Sequence, residues 1–225
     1  NQVNKDDKIE EKIQKDVNDY WEWALKSYSK AQVLNGEIDS ISYPNWQKIE
    51  NNLEQAFREL NFDRLGENTL DNMIFIIAQQ WDMGTILNWF NKGKESISQL
   101  GMTKTQLKIL CKSGLHSTLI DAKSQLAASL YKIDNRELAI ELLLKYYSDH
   151  NEYVRRCSLQ SLHQLGYEKI NPLLIQTWKE NEKQGRMLCL KIWSQTNRDL
   201  FDRYSKQAAK DKREYLRNYA RQLIQ

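Results

Sequence analysis

Hydrophobic residues recur with the 3.6-residue period of an α-helix along almost the whole chain. One stripe consists of Ile9, Ile13, Val17, Trp21, Ala24 and Tyr28, and another of Trp46, Ile49, Leu53, Phe57 and Leu60. The first stripe predicts a long helix that ends at Asn35-Gly36, and the second predicts a helix that starts with Pro44 in its first turn and ends before Gly66. A third helix is predicted over residues 69–81. With eight Gly and two Pro in 225 residues, the pattern predicts an all-α protein.

After Gly114 a second, longer period appears. Helices are predicted over residues 117–133, 136–148, 151–165, 171–181, 183–195, 197–209 and 211–224. Leu130 aligns with Leu162, 32 residues later, and Ile192 follows after 30 more; EYLRN (214–218) lies 62 residues after EYVRR (152–156). The unit is therefore two helices in about 31 residues. One such pair cannot bury both of its apolar faces, so we expect the pairs to stack on one another.

The segment LLLKYYSDHNEYVRRCSLQSLHQLG (142–166) resembles the HEAT repeat family. It has a Leu-rich first helix, Asp149, a short turn, Val154-Arg155, a small residue and Leu162, in that order. The resemblance implies a right-handed α-α superhelix, or solenoid, of HEAT-like helical hairpins over residues 115–225. Residues 1–114 are expected to form irregular helical layers that continue the same domain.

The same resemblance implies an internal ladder between successive repeats, formed here by Asp149 and Arg155. Lys123 occupies the Arg155 position one repeat earlier, and Gly185 occupies it one repeat later. A ladder with a missing rung is therefore expected, as in divergent repeats.

The helix over residues 151–165 also predicts a binding surface. If Val154, Leu162 and the small residues between them are core, then Arg156, Gln160 and His163 face outward at helical spacing. With their counterparts in other repeats, the predicted contact residues are Tyr131, Arg156, Gln160, His163, Arg186 and Trp193. Tyr, Trp and Arg are enriched among interface hot spots, and basic surfaces with interleaved aromatic residues also suit nucleic acid. The alternative for Trp193 is a place in the core.

Charge is unevenly distributed along the chain. Residues 1–100 carry 11 Lys and Arg against 17 Asp and Glu, a net −6, whereas residues 101–225 carry 22 against 13, a net +9. The acidic part can attract a basic partner, and the basic part can attract phosphates or acidic proteins. Ordinary solvated helix faces produce such imbalances too.

Residues for chemistry are sparse. The sequence has no phosphate-loop, dinucleotide-binding, zinc-protease or nucleophile-elbow motif, and His116, His150 and His163 do not follow zinc-ligand spacing. We therefore expect no catalytic residue, no metal and no cofactor. Cysteines 111, 157 and 189 show no CxxC pairing and are predicted to be small buried residues in a reducing compartment. The longest wholly apolar run, MIFIIA (73–78), is too short to cross a membrane. We expect a monomer in the cytoplasm, with secretion of a processed chain as the alternative.

Three functions are compatible with this sequence. The first is a non-catalytic protein-binding module, such as a bacterial immunity protein that neutralises a basic toxin. The second is DNA binding, because the chain length and helical repeats are similar to those of HEAT-like alkylpurine DNA glycosylases, which use a Trp/Asp/Arg set on the concave face. Residues of those types here are Trp81, Asp82, Arg155 and Arg156, with Trp89 nearby. The third is a structural scaffold piece of a larger protein, suggested by the lack of Met at position 1.

Overall fold

The computed structural model describes residues 2–82, 84–90 and 104–224, and these residues form an all-α structure without β-strands. The α-helices are α1 (Gln2–Ala24), α2 (Lys30–Leu34), α3 (Trp46–Glu59), α4 (Glu67–Gln79), α5 (Thr85–Asn88), α6 (Lys104–Gly114), α7 (Ile120–Ser129), α8 (Arg136–Tyr147), α9 (Glu152–Gln164), α10 (Ile170–Lys179), α11 (Lys183–Thr196), α12 (Arg198–Ala208) and α13 (Glu214–Ile224). Short 3-10 helices cover Ser40–Ser42, Phe62–Arg64 and Leu130–Lys132. The predicted all-α class is confirmed. The expected N-terminal unit, 1–114, includes residues 83 and 91–103, which lie outside the described residues.

The first predicted helix is in fact two helices. A new helix begins after Ser29, whose hydroxyl accepts a hydrogen bond from the Gln32 backbone N–H while the Gln32 side chain accepts one from the Ser29 N–H. This reciprocal capping box fixes the start of α2. The predicted stop at Asn35-Gly36 is correct, with Gly36 in the left-handed region at φ 71°. The prediction of one continuous helix was wrong, because the hydrophobic period carries no information about a local cap.

Helix α4 joins the N-terminal helices to the rest of the molecule. Every residue from Asn72 to Gln79 is buried, so this helix is covered on all sides. It packs against α1 on one side and against α6 and α7 on the other. A buried hydrogen-bond chain reinforces the N-terminal side: the Tyr20 hydroxyl donates to Gln79 Oε1 at 3.0 Å, and Gln79 Nε2 donates to the Val33 carbonyl at 3.2 Å. The core is therefore continuous from the first helices into the repeats.

The helices of the C-terminal part pack as consecutive pairs: α8 with α9, α10 with α11, and α12 with α13. The second helix of each pair also contacts the second helix of the next pair, so that α7, α9, α11 and α13 form a row, and α4 packs on α7 at its start. Asparagine side chains cap several of these helices, with Asn135, Asn151 and Asn197 each accepting a backbone N–H three residues on. The helices predicted from residue 117 onward all occur, with ends that differ by a few residues.

Candidate partner-binding surface

A ladder of ion pairs runs along the second helices at one position of the repeat. The cations are Lys123, Arg155, Arg186 and Arg217, spaced by 32, 31 and 31 residues, and the acids are Asp149, Glu180 and Asp211, spaced by 31 and 31. Each of the first three cations pairs with the acid before the next second helix. The distances are 2.9 Å for Arg155 and Glu180 and 3.1 Å for Arg186 and Asp211. The rungs keep the same order because the repeat places equivalent residues in equivalent contacts.

The arginines of the ladder also hold the turns between helices. Arg155 Nη1 donates to the carbonyls of Asp149 and His150 at 3.0 and 2.8 Å. Arg217 makes the same two contacts two repeats later, at 2.7 Å to the carbonyl of residue 211 and 3.0 Å to that of residue 212. These bonds satisfy backbone carbonyls of the turns, which lie beyond the last residue of the preceding helix. Asp149 and Arg155 thus lie in one ladder, although the Asp149 carboxylate itself pairs with Lys123.

The ladder contains the rung that was expected to be missing, which is the pair of Arg186 with Asp211. The expectation of a gap at Gly185 was wrong, because the interval between these repeats is 31 residues and the cation therefore falls on Arg186. Gly185 instead aligns with the buried Val154 and Leu216, and a methyl group added to it would lie 3.1 Å from Cγ2 of Thr177. A glycine is present there because the neighbouring first helix is close.

Two carboxylates of the ladder, those of Asp149 and Asp211, are held in their charged form. Burial alone would raise the pKa of Asp149, but hydrogen bonds from Lys123 and from the Asn151 backbone N–H keep that pKa below its ordinary value. The pKa of Asp211 is lowered more strongly, first by the hydrogen bonds from the Arg213 side chain and then by its backbone N–H and by the nearby charge of Arg186. These acids are structural groups with their charges already compensated.

Four of the six predicted contact residues are exposed or half-buried and take no part in the ladder. Tyr131 is 38% exposed, Gln160 is exposed, and Arg156 and His163 are half-buried. Arg156 Nε lies 2.6 Å from Glu152 Oε1, and its guanidinium lies 5.0 Å from the ring centre of Tyr153. His163 Nε2 lies 2.9 Å from Oε1 of Gln195 on the next second helix. Arg156 and His163 are oriented by these neighbours, and all four side chains remain accessible to a partner.

The other two predicted contact residues have different positions. Trp193 is fully buried, and its ring stacks on Tyr204 at 4.5 Å with an interplanar angle of 15°. Its indole N–H donates to Oδ1 of Asn171 at 3.1 Å. Arg186 is engaged in the ladder and lies over the Trp178 ring at 4.7 Å. The cause is again that the repeats were aligned one residue out of register. Trp193 follows Leu162 by 31 residues and occupies the same core position.

The repeat register also identifies a row of exposed or half-buried positions that were not predicted. Asp121, Tyr153, Gln184 and Tyr215 are equivalent residues on α7, α9, α11 and α13, and we call them the front row. Tyr153 and Tyr215 are 48% and 61% exposed, and Lys183 Nζ lies 4.9 Å from the ring centre of Tyr215. An alignment of the second helices at intervals of 32, 31 and 31 residues would have found this row from the sequence.

The Trp81, Asp82 and Trp89 group does not form one cluster. Trp89 is half-buried and packs against the core, edge-on to Phe57 with ring centres 5.8 Å apart. Trp81 is 48% exposed, and its indole N–H donates to the Gly36 carbonyl at 2.9 Å. Asp82 is exposed. Of this group, Trp81 and Asp82 remain available to a partner.

The remaining candidate groups for chemistry are three buried thiols. Cys111, Cys157 and Cys189 are free and buried, and burial raises the pKa of Cys157 to about 11 and that of Cys189 to about 12. Over residues 2–82, 84–90 and 104–224, no three His, Cys, Asp or Glu side chains converge on a point that could hold a metal ion. In the same part of the chain no helix is both long and apolar enough to span a membrane.

Comparison with known proteins found no protein family, no curated protein and no solved structure that matches this chain.

Proposed function

We propose that the protein is a non-catalytic protein-binding module built as an α-solenoid of HEAT-like hairpins. The observation that carries this proposal is the row of contacting second helices, α7, α9, α11 and α13. The ladder of ion pairs at one edge of this row supports it, because successive hairpins then share one packing geometry. A solenoid of this kind offers a partner one long continuous surface.

The side chains on that surface suit protein recognition. They combine accessible aromatic rings, a guanidinium and an amide, from Tyr131, Tyr153, Arg156 and Gln160. The ion pair of Arg156 with Glu152 and its position over Tyr153 restrict the rotamers of these long side chains before a partner arrives. Less conformational entropy is then lost on binding, which favours tight association.

A basic protein is the partner that the charge distribution favours. The net charge of −6 over residues 1–100 would attract it from a distance and accelerate association. Within this class we propose a bacterial immunity protein that covers the basic functional site of a toxin inside the cytoplasm. Association with such a partner should slow as salt is added, and an on-rate that did not depend on salt would exclude the electrostatic part.

The test is capture of a partner from lysate of the source cell, with nuclease present, by the wild-type chain and two double variants. Arg156→Ala with Gln160→Ala alters the exposed face of α9. Glu141→Ala with Lys145→Ala is the matched control, because it removes an exposed ion pair of the same i, i+4 spacing from the first helix α8. We expect one stoichiometric protein, captured equally by wild type and control and weakened by roughly tenfold or more in the α9 variant. Equal capture by all three would exclude this surface.

Nucleic acid is a second candidate, favoured by cations that have no acidic partner. Four exposed cations on α12, α13 and the turn between them form no ion pair within the described part of the chain: Arg203, Lys206, Lys210 and Arg221. Such side chains are free to neutralise phosphates. This function predicts binding to a short DNA duplex that weakens steeply with salt, measured by fluorescence anisotropy. A scaffold role would produce neither result.

A further inference from the structure

Asp121, in the first turn of α7, is a half-buried carboxylate without a partner. Among the described residues its carboxylate makes no hydrogen bond and no ion pair. Three other shielded carboxylates among the described residues are compensated: Asp16 accepts from Asn52 Nδ2 at 2.7 Å, and Asp149 and Asp211 belong to the ladder. Burial raises the pKa of Asp121, and no neighbouring donor or cation offsets that rise.

Two exposed aromatic rings lie beside this carboxylate. A methyl group added to Gly36 would collide with Oδ2 of Asp121 and would lie 3.1 Å from Nε1 of Trp81, so the three residues meet at one place. The hydrogen bond from Trp81 Nε1 to the Gly36 carbonyl fixes the indole while nearly half of it stays exposed. On the other side, Tyr153 occupies the position on α9 that Asp121 occupies on α7, and these two helices contact each other.

The chemistry of this site is that of a cation receptor. A carboxylate accepts two parallel N–H groups from a guanidinium, and aromatic rings attract the face of the same planar cation. The carboxylate has already lost part of its hydration on folding, so a cation that reaches it regains an interaction that water supplies poorly there. An ammonium group would use the charge but not the planar stacking surface.

We infer that Asp121, Trp81 and Tyr153 form a receptor for an arginine side chain of the partner protein. This inference rests on the proposed function, because the arginine belongs to the bound protein, and it identifies the partner as one that presents an arginine to the start of α7. The acidic N-terminal part of the chain agrees with such a partner.

The receptor can be tested without the partner. The probe is Nα-acetyl-argininamide, added to the 15N-labelled full chain while the seven tryptophan indole N–H signals are followed by NMR; the Trp81 signal is assigned with Trp81→Phe. The neutral isostere Nα-acetyl-citrullinamide is the ligand control. We expect a saturable shift of the Trp81 signal with the arginine compound and none with the citrulline compound.

Two isosteric variants make the test specific. Asp121→Asn should abolish the shift, whereas Asp82→Asn, the same charge change on the exposed residue next to Trp81, should preserve it. An unchanged Trp81 signal in the wild type, equal responses to both compounds, or undiminished binding by Asp121→Asn would overturn the inference. An arginine response together with equal partner capture by the α9 variant would retain the receptor and reject the proposed surface. No arginine response together with weakened capture by the α9 variant would reject the receptor and retain the proposed surface.

Discussion

The position of Trp193 allows the sharpest test of the repeat register. If Trp193 faced outward, its truncation would cost almost no stability. The structure instead buries it completely between helix pairs. Replacing a buried aromatic residue with alanine costs about 3 to 5 kcal/mol. The stacked contact with Tyr204 at 4.5 Å adds about 0.5 to 1.5 kcal/mol of specific ring interaction to what is lost. We therefore expect Trp193→Ala to fall in the upper part of the first range.

The assay is urea unfolding followed by circular dichroism at a helical wavelength, with the midpoint and the slope both fitted. Trp193→Phe keeps a ring against Tyr204 and loses the hydrogen bond to Asn171, so it should cost less than half as much as the alanine variant. Lys191→Ala, at an exposed position of the same helix, should stay within about 0.5 kcal/mol of the wild type. A Trp193→Ala variant as stable as Lys191→Ala would refute the register and the core position together.

Three further outcomes follow from the same structure. Leu162→Ala should lower the free energy of unfolding by about 2 to 5 kcal/mol through a cavity, while Arg156→Ala should leave it nearly unchanged, as measured by the same urea unfolding; equal losses would mean that the face of α9 is assigned wrongly. Because the folded-state pKa of Asp211 is depressed, its contribution is present above the ordinary carboxyl pKa of about 3.9 and is lost as the pH falls below it. Asp211→Asn should therefore lose less stability than the wild type between neutral and acidic pH, and parallel pH profiles would contradict this. Cys157 and Cys189 should react with a thiol reagent at pH 8 only after unfolding, since burial raises the pKa of both thiols; fast labelling of the native chain would show that they are accessible.

Much of the fold could be predicted because helical periodicity is a local property. The stripes around Ile13 and Leu53 correspond to buried faces of α1 and α3, and the later helices occur where the pattern placed them. The break between α1 and α2 was not predicted from the apolar pattern, because it depends on two side chains, Ser29 and Gln32, that cap a helix without interrupting that pattern.

The candidate surface was harder to predict because it depends on register. Aligning Leu162 with Ile192 instead of Trp193 shifted the third repeat by one residue, which moved an aromatic core residue to the surface and a ladder cation into the contact set. Asp121 could not be recognised by residue type at all. Its distinction lies in having no partner, and this becomes visible only when Gly36 and Trp81 are placed beside it.

The front row also implies a length scale for anything that binds along it. Helices packed side by side have axes about 8 to 10 Å apart, and an extended peptide advances about 3.3 Å per residue. A segment that crossed α7, α9 and α11 in an extended conformation would therefore meet Asp121, Tyr153 and Gln184 at intervals of roughly three residues. The complementary side chains of such a segment would recur with that spacing, a signature that could be sought in the primary structure of candidate partners before any complex is isolated.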